Sequence, residues 1–551
     1  MKRKFTSMIG VMMACIMATG TITGCGNVES SKTSESGKQN VENSEGNSTQ
    51  VSEEITYPLS GNIKLSLYTP IAYLQSDYLT PEESPFLSGL EKNTGVDIEW
   101  QFLAQGADKT TSYNLLLQDE ELPNIIFSDI LKVKEGIRLL NDGLIYDLTD
   151  YLPKYAPDYW AYITAPENKE ILKQLTTEDG RFWGVASFRE SDYNVTYMGP
   201  MIRQDWLDEC GLKTPVTLED WENVLTVFKE KYNANFGSPM KDLIQCGIAS
   251  GTGAFGGLQT YYYVDENNKV QLGMAQEEWK EQMEVLHRWY ENGLLDRDFA
   301  TADRTVVRSK VLNNEFGIVF TAMSQLSLYV GDASKENTGA KWVGLSYPRT
   351  EEGATLSFIQ TSRTTCTGNS NAVITTDCTE EELIQALKFL NYGYTEEGIM
   401  YWNYGEEGVS YTLDKDGKPQ WTDKVVNDPA GQAEGLKRYT GVSSCGPTIQ
   451  TERFVQIKNT KEAEEAVYKW IENSEAPKYA LPALSFTEDE NERYADISSS
   501  MDTYINTMAL KFITGEESLD NFDDFVKELN KLGLEEILEI QQNAFDRYLA
   551  K

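Results

Sequence analysis

The sequence predicts an α/β fold that is divided into at least two lobes. The chain has 551 residues, which is too many for one hydrophobic core. Short runs with the alternation or continuous apolarity of strands are separated by segments with helical spacing. This order is typical of mainly parallel sheets that carry helices on their faces.

The first half of the folded region shows this alternation most clearly. Its first strand ends at Thr69, before Pro70, and its first helix stops at Gly95, as expected for residues that interrupt regular structure. Strands are predicted at residues 62–68, 96–103 and 122–127, with helices at 87–94 and 108–118 between them.

Further elements follow in order along the chain. Thr217 and Asp220 form a capping-box-like start for a helix over residues 218–231. Residues 264–270 are a polar hairpin tip, whose acidic residues lack the spacing of an EF-hand loop, so no metal site is predicted there. The remaining predictions are a hairpin strand at 180–185, a strand and helix over 197–208, a strand at 315–321, a helix at 380–392 and helices throughout 499–551.

The first 54 residues predict export and a tether. Lys2, Arg3 and Lys4 precede an apolar stretch over residues 9–22 that is too short to span a membrane, so residues 1–24 are interpreted as a signal peptide. Ile22-Thr23-Gly24-Cys25 resembles a bacterial lipobox, which implies lipidation at Cys25; the alternative is cleavage elsewhere. Residues 25–54 have almost no apolar side chains and are predicted to be a disordered tether.

Composition excludes several classes of function. The formal net charge is −37, so the surface as a whole repels nucleic acid and anionic lipid, although a local basic pocket is not excluded. The single histidine, His287, leaves no residue for Ser-His-Asp, Cys-His or His-metal chemistry elsewhere. The cysteines are scattered and contain no CxxC pair, so we predict no zinc site and no cofactor.

Five segments, in their order along the chain, carry a resemblance to a known family: residues 179–184 (DGRFWG), 202–212 (IRQDWLDECGL), 403–409 (NYGEEGV), 512–515 (FITG) and 543–548 (NAFDRY). Together they resemble the large lipoprotein-type solute-binding proteins (family 1) of bacterial carbohydrate ABC transporters. The resemblance covers nearly all of the chain after the signal segment and rests on the order of the segments, since each alone is weak.

The resemblance implies a type II periplasmic-binding-protein fold, in which two α/β lobes surround a ligand cleft and are joined by crossing hinge strands. Lobe one would contain residues 55–197 and 365–435, and lobe two residues 198–360 and 436–551. It further implies a monomer, lipid-anchored to the outside of the cell membrane, that is not an enzyme. Such a protein captures an oligosaccharide and delivers it to the permease of an ABC importer.

The candidate ligand-binding residues are those expected at the carboxyl ends of the predicted strands, together with nearby aromatic residues. In an open α/β lobe, ligands bind at the carboxyl ends of strands, where sugars need aromatic faces and fixed polar groups. Arg203 is a further candidate, with an ion pair to Asp205 as the structural alternative. The aromatic residues Tyr401, Trp402 and Tyr404 are candidates for stacking on sugar, with core packing as their alternative. The strand-end candidates are Thr69, Ser128, Asp129, Thr252, Phe255 and Met323.

Three functions remain open at this stage. The first is capture of a carbohydrate, expected to be neutral or weakly charged because the chain is acidic. The second is a glycoside hydrolase with two carboxylates, whose required separation no sequence can show. The third is binding of a peptide or another small solute by the same fold.

Overall fold

Two β-sheets, each covered by helices, organise the chain in the computed structural model. The structure describes residues 55–70, 80–104, 106–244, 262–366, 371–442 and 446–551, all of which belong to one unit, Val51–Lys551. The strands of this described part are β1 Ile63–Thr69, β2 Val96–Phe102, β3 Ile125–Ser128, β4 Val185–Ala186, β5 Phe188–Arg189, β6 Met198–Arg203, β7 Asn235–Gly237, β8 Tyr262–Val264, β9 Val270–Leu272, β10 Phe316–Ala322, β11 Trp342–Gly344, β12 Asn371–Ile374, β13 Tyr411–Leu413, β14 Pro419–Trp421 and β15 Ile449–Gln450.

Helices connect these strands and form the whole carboxyl-terminal region. The α-helices of the described part are α1 Pro85–Thr94, α2 Lys109–Leu116, α3 Val133–Asn141, α4 Leu152–Tyr155, α5 Pro157–Thr164, α6 Lys169–Leu175, α7 Asp192–Val195, α8 Gln204–Cys210, α9 Leu218–Tyr232, α10 Met240–Leu243, α11 Glu277–Glu291, α12 Arg304–Leu312, α13 Met323–Lys335, α14 Glu380–Tyr392, α15 Glu396–Tyr404, α16 Asp423–Val426, α17 Gln432–Tyr439, α18 Glu452–Lys458, α19 Lys461–Ile471, α20 Ala476–Tyr479, α21 Glu488–Thr514, α22 Phe522–Lys531 and α23 Leu534–Ala550.

The first sheet has five strands in the order β2-β1-β3-β12-β4. Strands β1, β2 and β3 are parallel, whereas β12 runs antiparallel to both of its neighbours. Apolar side chains from α2 and α3, including Tyr113 and Leu139, are buried against Ile126 on one face of this sheet. All three parallel strands therefore end at the same edge, which is where ligand-binding loops of open α/β sheets lie.

The second sheet has four strands in the order β11-β6-β10-β7. Strands β10 and β7 are parallel, and β6 runs antiparallel to β10, so that Thr321 at the end of β10 pairs with Gly199 near the start of β6. Two glycines of this sheet allow helices to pack closely on it. A Cβ at Gly199 of β6 would collide with Trp470 of α19, and a Cβ at Gly317 of β10 would collide with Phe228 of α9.

The helix ends that were predicted from neighbouring residues are confirmed. The Thr217 hydroxyl accepts a hydrogen bond from the Asp220 amide, and the Asp220 carboxylate accepts one from the Thr217 amide, as the capping box requires. Gly95 ends α1 in the left-handed conformation, with a φ of 76°. The hairpin predicted at residues 180–185 is present as a short antiparallel bridge between Thr176 and Phe182, and the regular strand β4 begins only at Val185.

The carboxyl-terminal helices α21, α22 and α23 pack on the side of the second sheet. Phe512 of α21 lies 6.4 Å from Trp279 of α11, measured between ring centroids, and Trp289 of α11 lies 5.5 Å from Phe236 of β7. The final helix α23 also contacts α6 beside the first sheet, because the Tyr548 hydroxyl donates a hydrogen bond to Glu170 Oε2 at 2.8 Å. The carboxyl-terminal helices therefore contact helices that flank both sheets.

Candidate functional site

The predicted strand-end residues of the first sheet lie together at one edge. Thr69 ends β1 and Ser128 ends β3, both fully buried, and these two strands are neighbours in parallel register. Asp129 follows immediately, and its Oδ2 accepts a hydrogen bond from Lys109 Nζ at 2.9 Å. The prediction that these residues occupy the carboxyl edge of a parallel sheet is confirmed.

Two polar atoms at this edge are buried without a hydrogen-bond partner among the described residues. They are the Tyr68 hydroxyl and Asp129 Oδ1. Burial raises the pKa of Tyr68, and the nearby Asp129 carboxylate raises it further. Because buried polar groups are normally paired, these two atoms are available to a ligand.

The corresponding edge of the second sheet carries Met323, Asp242 and Arg304. Met323 begins α13 directly after β10, and its amide donates to the Tyr197 carbonyl at 2.8 Å. Asp242 on α10 is buried, and burial raises its pKa although Arg304 lies 3.8 Å away. Its Oδ2 has no hydrogen-bond partner in the described part of the chain.

Lys132 and Lys241 follow strands of different sheets. Lys132 follows β3 of the first sheet, and Lys241 lies on α10, which follows β7 of the second sheet. Burial lowers the pKa of Lys132, Asp129 opposes this shift, and the positive charge of Lys241 adds to it.

A cavity of about 980 Å³ begins at the first of these edges. Ile130 and Lys132, just after β3, line it, and α2 and α3 form one wall. The opposite wall consists of residues 481–486 together with side chains of α21 and α23. The cavity therefore lies between helices that cover the first sheet and the carboxyl-terminal helices on the side of the second sheet.

Lys134 is the most unusual side chain in this cavity. Its Nζ lies 3.3 Å from the centroid of the Tyr494 ring and 4.1 Å from that of Phe486. These two rings are themselves stacked, with centroids 5.1 Å apart. Burial lowers the pKa of Lys134 to about 7, and no acidic side chain of the described residues pairs with it.

Glu135 and Arg138 neutralise each other on the same wall. Arg138 donates to both carboxylate oxygens of Glu135, at 2.9 and 2.6 Å, and the Tyr113 hydroxyl donates to Glu135 at 2.7 Å. Burial alone would raise the pKa of Glu135, but these hydrogen bonds lower it overall. Amide side chains suited to sugar hydroxyls complete the lining: Asn114, Gln118, Asn491 and Gln541.

The structure corrects the expectation for Arg203. This residue lies at the end of β6, which is the opposite end of the second sheet from Met323 because β6 and β10 are antiparallel. Its guanidinium makes two hydrogen bonds to Asp205, at 2.9 and 2.6 Å, and a third to Asn314. Arg203 is thus a buried anchor for α8, as the structural alternative held.

The expectation that Tyr401, Trp402 and Tyr404 stack on sugar is also corrected. All three are buried in the core, and a Cβ on Gly441 or Gly446 would meet the Trp402 ring. The hydroxyl of Tyr401 donates to the Phe86 carbonyl at 2.9 Å. Tyr401 also borders a smaller cavity of about 420 Å³ between α1 and α15, which none of the strand-end candidates in the described part of the chain lines.

Three predicted residues lie outside the described part of the chain. They are Cys25 and the two members of the glycine-rich loop, Thr252 and Phe255. Within the described residues, no group of His, Cys, Asp and Glu side chains has an arrangement that would hold a metal ion. His287 is structural, with its Nδ1 at 3.1 Å from the Ile513 carbonyl.

Sequence patterns did not identify the cavity residues Lys132, Lys134, Phe486 and Tyr494. A lysine within a predicted helix is normally a solvated residue, and the two rings come from a distant part of the chain. The one local signal is the Thr487–Glu490 capping box, which fixes the start of α21 and hence the position of Phe486 just before it.

The chain thus combines two helix-covered α/β sheets with a large cavity between helices of the first sheet and the carboxyl-terminal helices, and comparison with known proteins shows which class it resembles. No family model matches the chain. The fructooligosaccharide ABC transporter substrate-binding protein FusA of Streptococcus pneumoniae serotype 4 is 24% identical over 532 residues, which are 90% of this chain and 93% of FusA.

Two proteins of Bacillus subtilis strain 168 are similarly related. Lipoprotein LipO is 26% identical over 489 residues, covering 84% of this chain and 90% of LipO. The polygalacturonan/rhamnogalacturonan-binding protein YtcQ is 23% identical over 500 residues, covering 88% of this chain and 91% of YtcQ. The resemblance to ABC-transporter solute-binding proteins that the ordered sequence segments indicated is therefore confirmed.

Solved structures show the same fold over nearly the whole chain. The calcium-free alginate-binding protein AlgQ2 superposes with a TM-score of 0.70 at 20% identity, covering 90% of this chain and 100% of AlgQ2. FusA of S. pneumoniae in complex with kestose superposes with a TM-score of 0.65 at 22% identity, covering 88% of this chain and 99% of FusA. The predicted fold class, that of the two-lobed solute-binding proteins, is confirmed.

Within the described residues, no helix combines the length and apolarity needed to cross a bilayer.

Proposed function

We propose that this protein captures an oligosaccharide between its two lobes outside the cell and delivers it to an ABC importer. The observation that carries the proposal is the cavity of about 980 Å³ between α3 and α21. Ligand sites commonly measure about 300–1,000 Å³, so this volume suits a ligand of several rings. Aromatic faces and amide side chains in its lining match the C–H faces and hydroxyls of sugars.

The relatives support carbohydrate as the ligand class without fixing the sugar. Their names refer to fructooligosaccharide in one case and to polygalacturonan or rhamnogalacturonan in another. They are binding proteins, and the proposal extends this to the present chain as a protein that is not an enzyme.

The two lobes are proposed to close over the ligand by a hinge motion. Residues 55–197 and 365–435 are assigned to lobe one, and residues 198–360 and 436–551 to lobe two. Contacts favour moving the last boundary to about residue 459, because Thr451 bonds to Asn403 of α15 and Ile449 pairs with Phe188 of β5. Ligand contacts from both lobes stabilise the closed arrangement.

Position at the membrane is proposed from the amino-terminal sequence. Cys25 would carry the lipid anchor, residues 25–54 would act as the tether, and the binding unit would face outward as a monomer. Its partners would be the oligosaccharide and the permease subunits of the importer.

The hydrolase alternative is less well supported by the described residues. Glycosidases need two carboxyl groups about 5–9.5 Å apart across the sugar. The acidic side chain that lines the cavity is Glu135, which is held by Arg138. Asp129, which follows β3, is held by Lys109. Neither is placed as an unpaired acid opposite a second carboxylate.

A melting-temperature screen with mono- and oligosaccharides tests the proposal. A bound sugar should raise the melting temperature in a concentration-dependent manner and be recovered intact by chromatography after long incubation. Consumption of the sugar would favour a hydrolase. A shift with peptides and none with any sugar would contradict carbohydrate binding.

A further inference from the structure

The chain passes between the two sheets more than once. The first crossing segment, residues 187–197, leaves β4 of the first sheet and enters β6 of the second. The second crossing segment runs from β11 of the second sheet back towards β12 of the first, and its described part is residues 345–366. A rotation of one sheet and its helices relative to the other therefore changes backbone torsions in both segments.

One side chain ties the two crossing segments together beside the second sheet. Oε1 of Gln360, in the second segment, accepts hydrogen bonds from the amides of Tyr197 and Met198 at 2.7 and 3.1 Å. Its Nε2 donates to the Val195 carbonyl at 3.3 Å. Gln360 is buried, and Val195 and Met198 are buried more deeply. These three hydrogen bonds form a staple at the point where the first segment enters β6.

The Tyr347 hydroxyl holds the backbone of Gln360 in the same arrangement. It accepts from the Gln360 amide at 3.3 Å and donates to the Met198 carbonyl at 2.9 Å. Residues 196–197 lie between α7 and β6 and belong to neither. The staple therefore supplies hydrogen bonds that a helix or a strand would otherwise give, and it makes Gln360 and the end of the first segment one piece with the second sheet.

Different hydrogen bonds hold the two segments on the side of the first sheet. Asn194 Nδ2 donates to a carbonyl of β15 at 2.9 Å, and β15 pairs with β5. Gln174 of α6 donates from its Nε2 to Thr364 Oγ1 at 2.6 Å. Asn194 and Thr364 are thus held on one side, whereas Val195 and Gln360 are held on the other. Torsion changes that accompany a rotation fall at the junction of Asn194 with Val195 and at the residues between Gln360 and Thr364.

We propose that Gln360 is a positioning residue that limits how freely the two lobes rotate and thereby sets their affinity for ligand. The inference rests on the hinge closure in the proposed function. With the staple in place, rotation is confined to two points and few relative orientations of the lobes are available. Without it, residues 195–198 gain torsional freedom of their own, and the orientations multiply. A ligand that contacts both lobes in one arrangement then finds a smaller fraction of the molecules competent, so its apparent affinity falls.

Single-molecule energy transfer between two dyes tests the inference without any sugar. The dyes are attached to noncanonical residues at positions 64 and 335, because the chain has native cysteines. Lys64 on β1 and Lys335 on α13 are exposed and lie in different proposed lobes. Gln360→Met keeps the length of the side chain and loses all three hydrogen bonds, so the distribution of dye distances should become wider than in the parent. A folded Gln360→Met variant with a distribution as narrow as the parent's would overturn the inference.

Asn391→Leu is the matched control. Asn391 is a buried amide whose Oδ1 accepts from the backbone amides of Asp158 and Tyr159 at 2.9 and 3.2 Å, and all three residues belong to proposed lobe one. Its loss should lower the melting temperature without widening the distance distribution. Equal widening in both variants would indicate a general loss of rigidity and overturn the role of Gln360.

A milder variant covers the case in which Gln360→Met does not melt cooperatively. The carboxylate of Gln360→Glu still accepts from the two amides but cannot donate to the Val195 carbonyl, so the distribution should widen less than without the staple and more than in the parent. Parental width in this folded variant would also overturn the inference.

Calorimetric titration adds the functional measurement, with the oligosaccharide that gives the largest shift in the melting screen. Gln360→Met should bind it about two- to tenfold more weakly than the parent, and Asn391→Leu should bind it as the parent does. A wider distribution with unchanged affinity would overturn the link between the hinge and binding. Absence of binding to any sugar by the parent would contradict the proposed function, while the dye measurement would still decide whether the staple limits rotation.

Discussion

The ammonium of Lys134 lies 3.3 Å from the centre of the Tyr494 ring, and this contact joins a helix of the first sheet to a helix packed on the second. The rings accommodate the cation but do not neutralise it, which leaves an amine of lowered pKa facing a large cavity. A side chain held in this state at the expense of stability is typical of ligand-binding sites.

Replacing Lys134 by Met should stabilise the unliganded protein. The pKa of this lysine falls from 10.5 in the unfolded chain to about 7 in the fold. Between these values the unfolded chain binds more protons, so this group makes stability rise with pH. Its penalty is complete below about pH 7 and fades as pH approaches the unfolded pKa. Lys134→Met should therefore raise the free energy of unfolding at pH 6 by on the order of 1 kcal/mol or more, and by less at pH 9.

Urea unfolding of both proteins at the two pH values measures this difference. Lys64→Met is the matched control, because Lys64 is exposed and should show no pH-dependent gain. A Lys134→Met variant that is less stable than the parent at pH 6 would show that the cation–π contacts outweigh burial.

Trp402→Ala should destabilise the protein and leave ligand affinity unchanged in the folded fraction. The ring is 4% exposed and lies edge-on to Phe86 at a centroid distance of 5.1 Å. Removing a buried Trp creates a cavity that costs about 3–5 kcal/mol. Denaturant unfolding and calorimetric titration of the same variant separate the two effects. Normal stability with lost affinity would show instead that Trp402 is part of the binding site.

Lipid anchoring should depend on Cys25. The charged start, the apolar stretch and the small residue before this cysteine indicate processing as a lipoprotein. Cys25→Ala should release the protein from membranes or leave it unprocessed, as seen by detergent partitioning and mass measurement. A variant that partitions like the parent would contradict the lipobox interpretation.

A shortened chain that begins at Ile55 should fold and bind as the longer chain does. The residues removed have a composition that cannot support a core, and the described fold begins at Ile55. Circular dichroism melting and titration with the same sugar compare the two chains. Loss of cooperative unfolding in the shortened chain would show that the removed segment contributes to the folded unit.

The sequence predicted those parts of the fold whose signals are local. Thr217 and Asp220 start α9 through their own hydrogen bonds, and Gly95 ends α1 because glycine adopts positive φ freely. The buried run that ends at Ser128 predicted a central strand. The position of Ser128 and Asp129 followed, since residues after parallel strands share one edge of the sheet.

Side chains whose environment depends on distant residues could not be assigned in this way. The sequence left open whether Trp402 was core or ligand-binding, because composition does not distinguish a buried ring from an exposed one. Only packing against Gly441 and Gly446 placed it in the core. The prediction that Arg203 binds ligand also failed for a reason that depends on distant residues. Because β6 runs antiparallel to β10, Arg203 lies at the opposite end of the sheet from Met323.

The sequence by itself determined the class of fold, the order of its elements and the sheet edge at which Thr69, Ser128 and Asp129 lie. These follow from hydrophobic periodicity, caps and turns, which act over a few residues. Only the tertiary structure placed Lys134 against the rings of Tyr494 and Phe486 beside a large cavity. These residues lie far apart in the chain, so no pattern over a few residues encodes their contact.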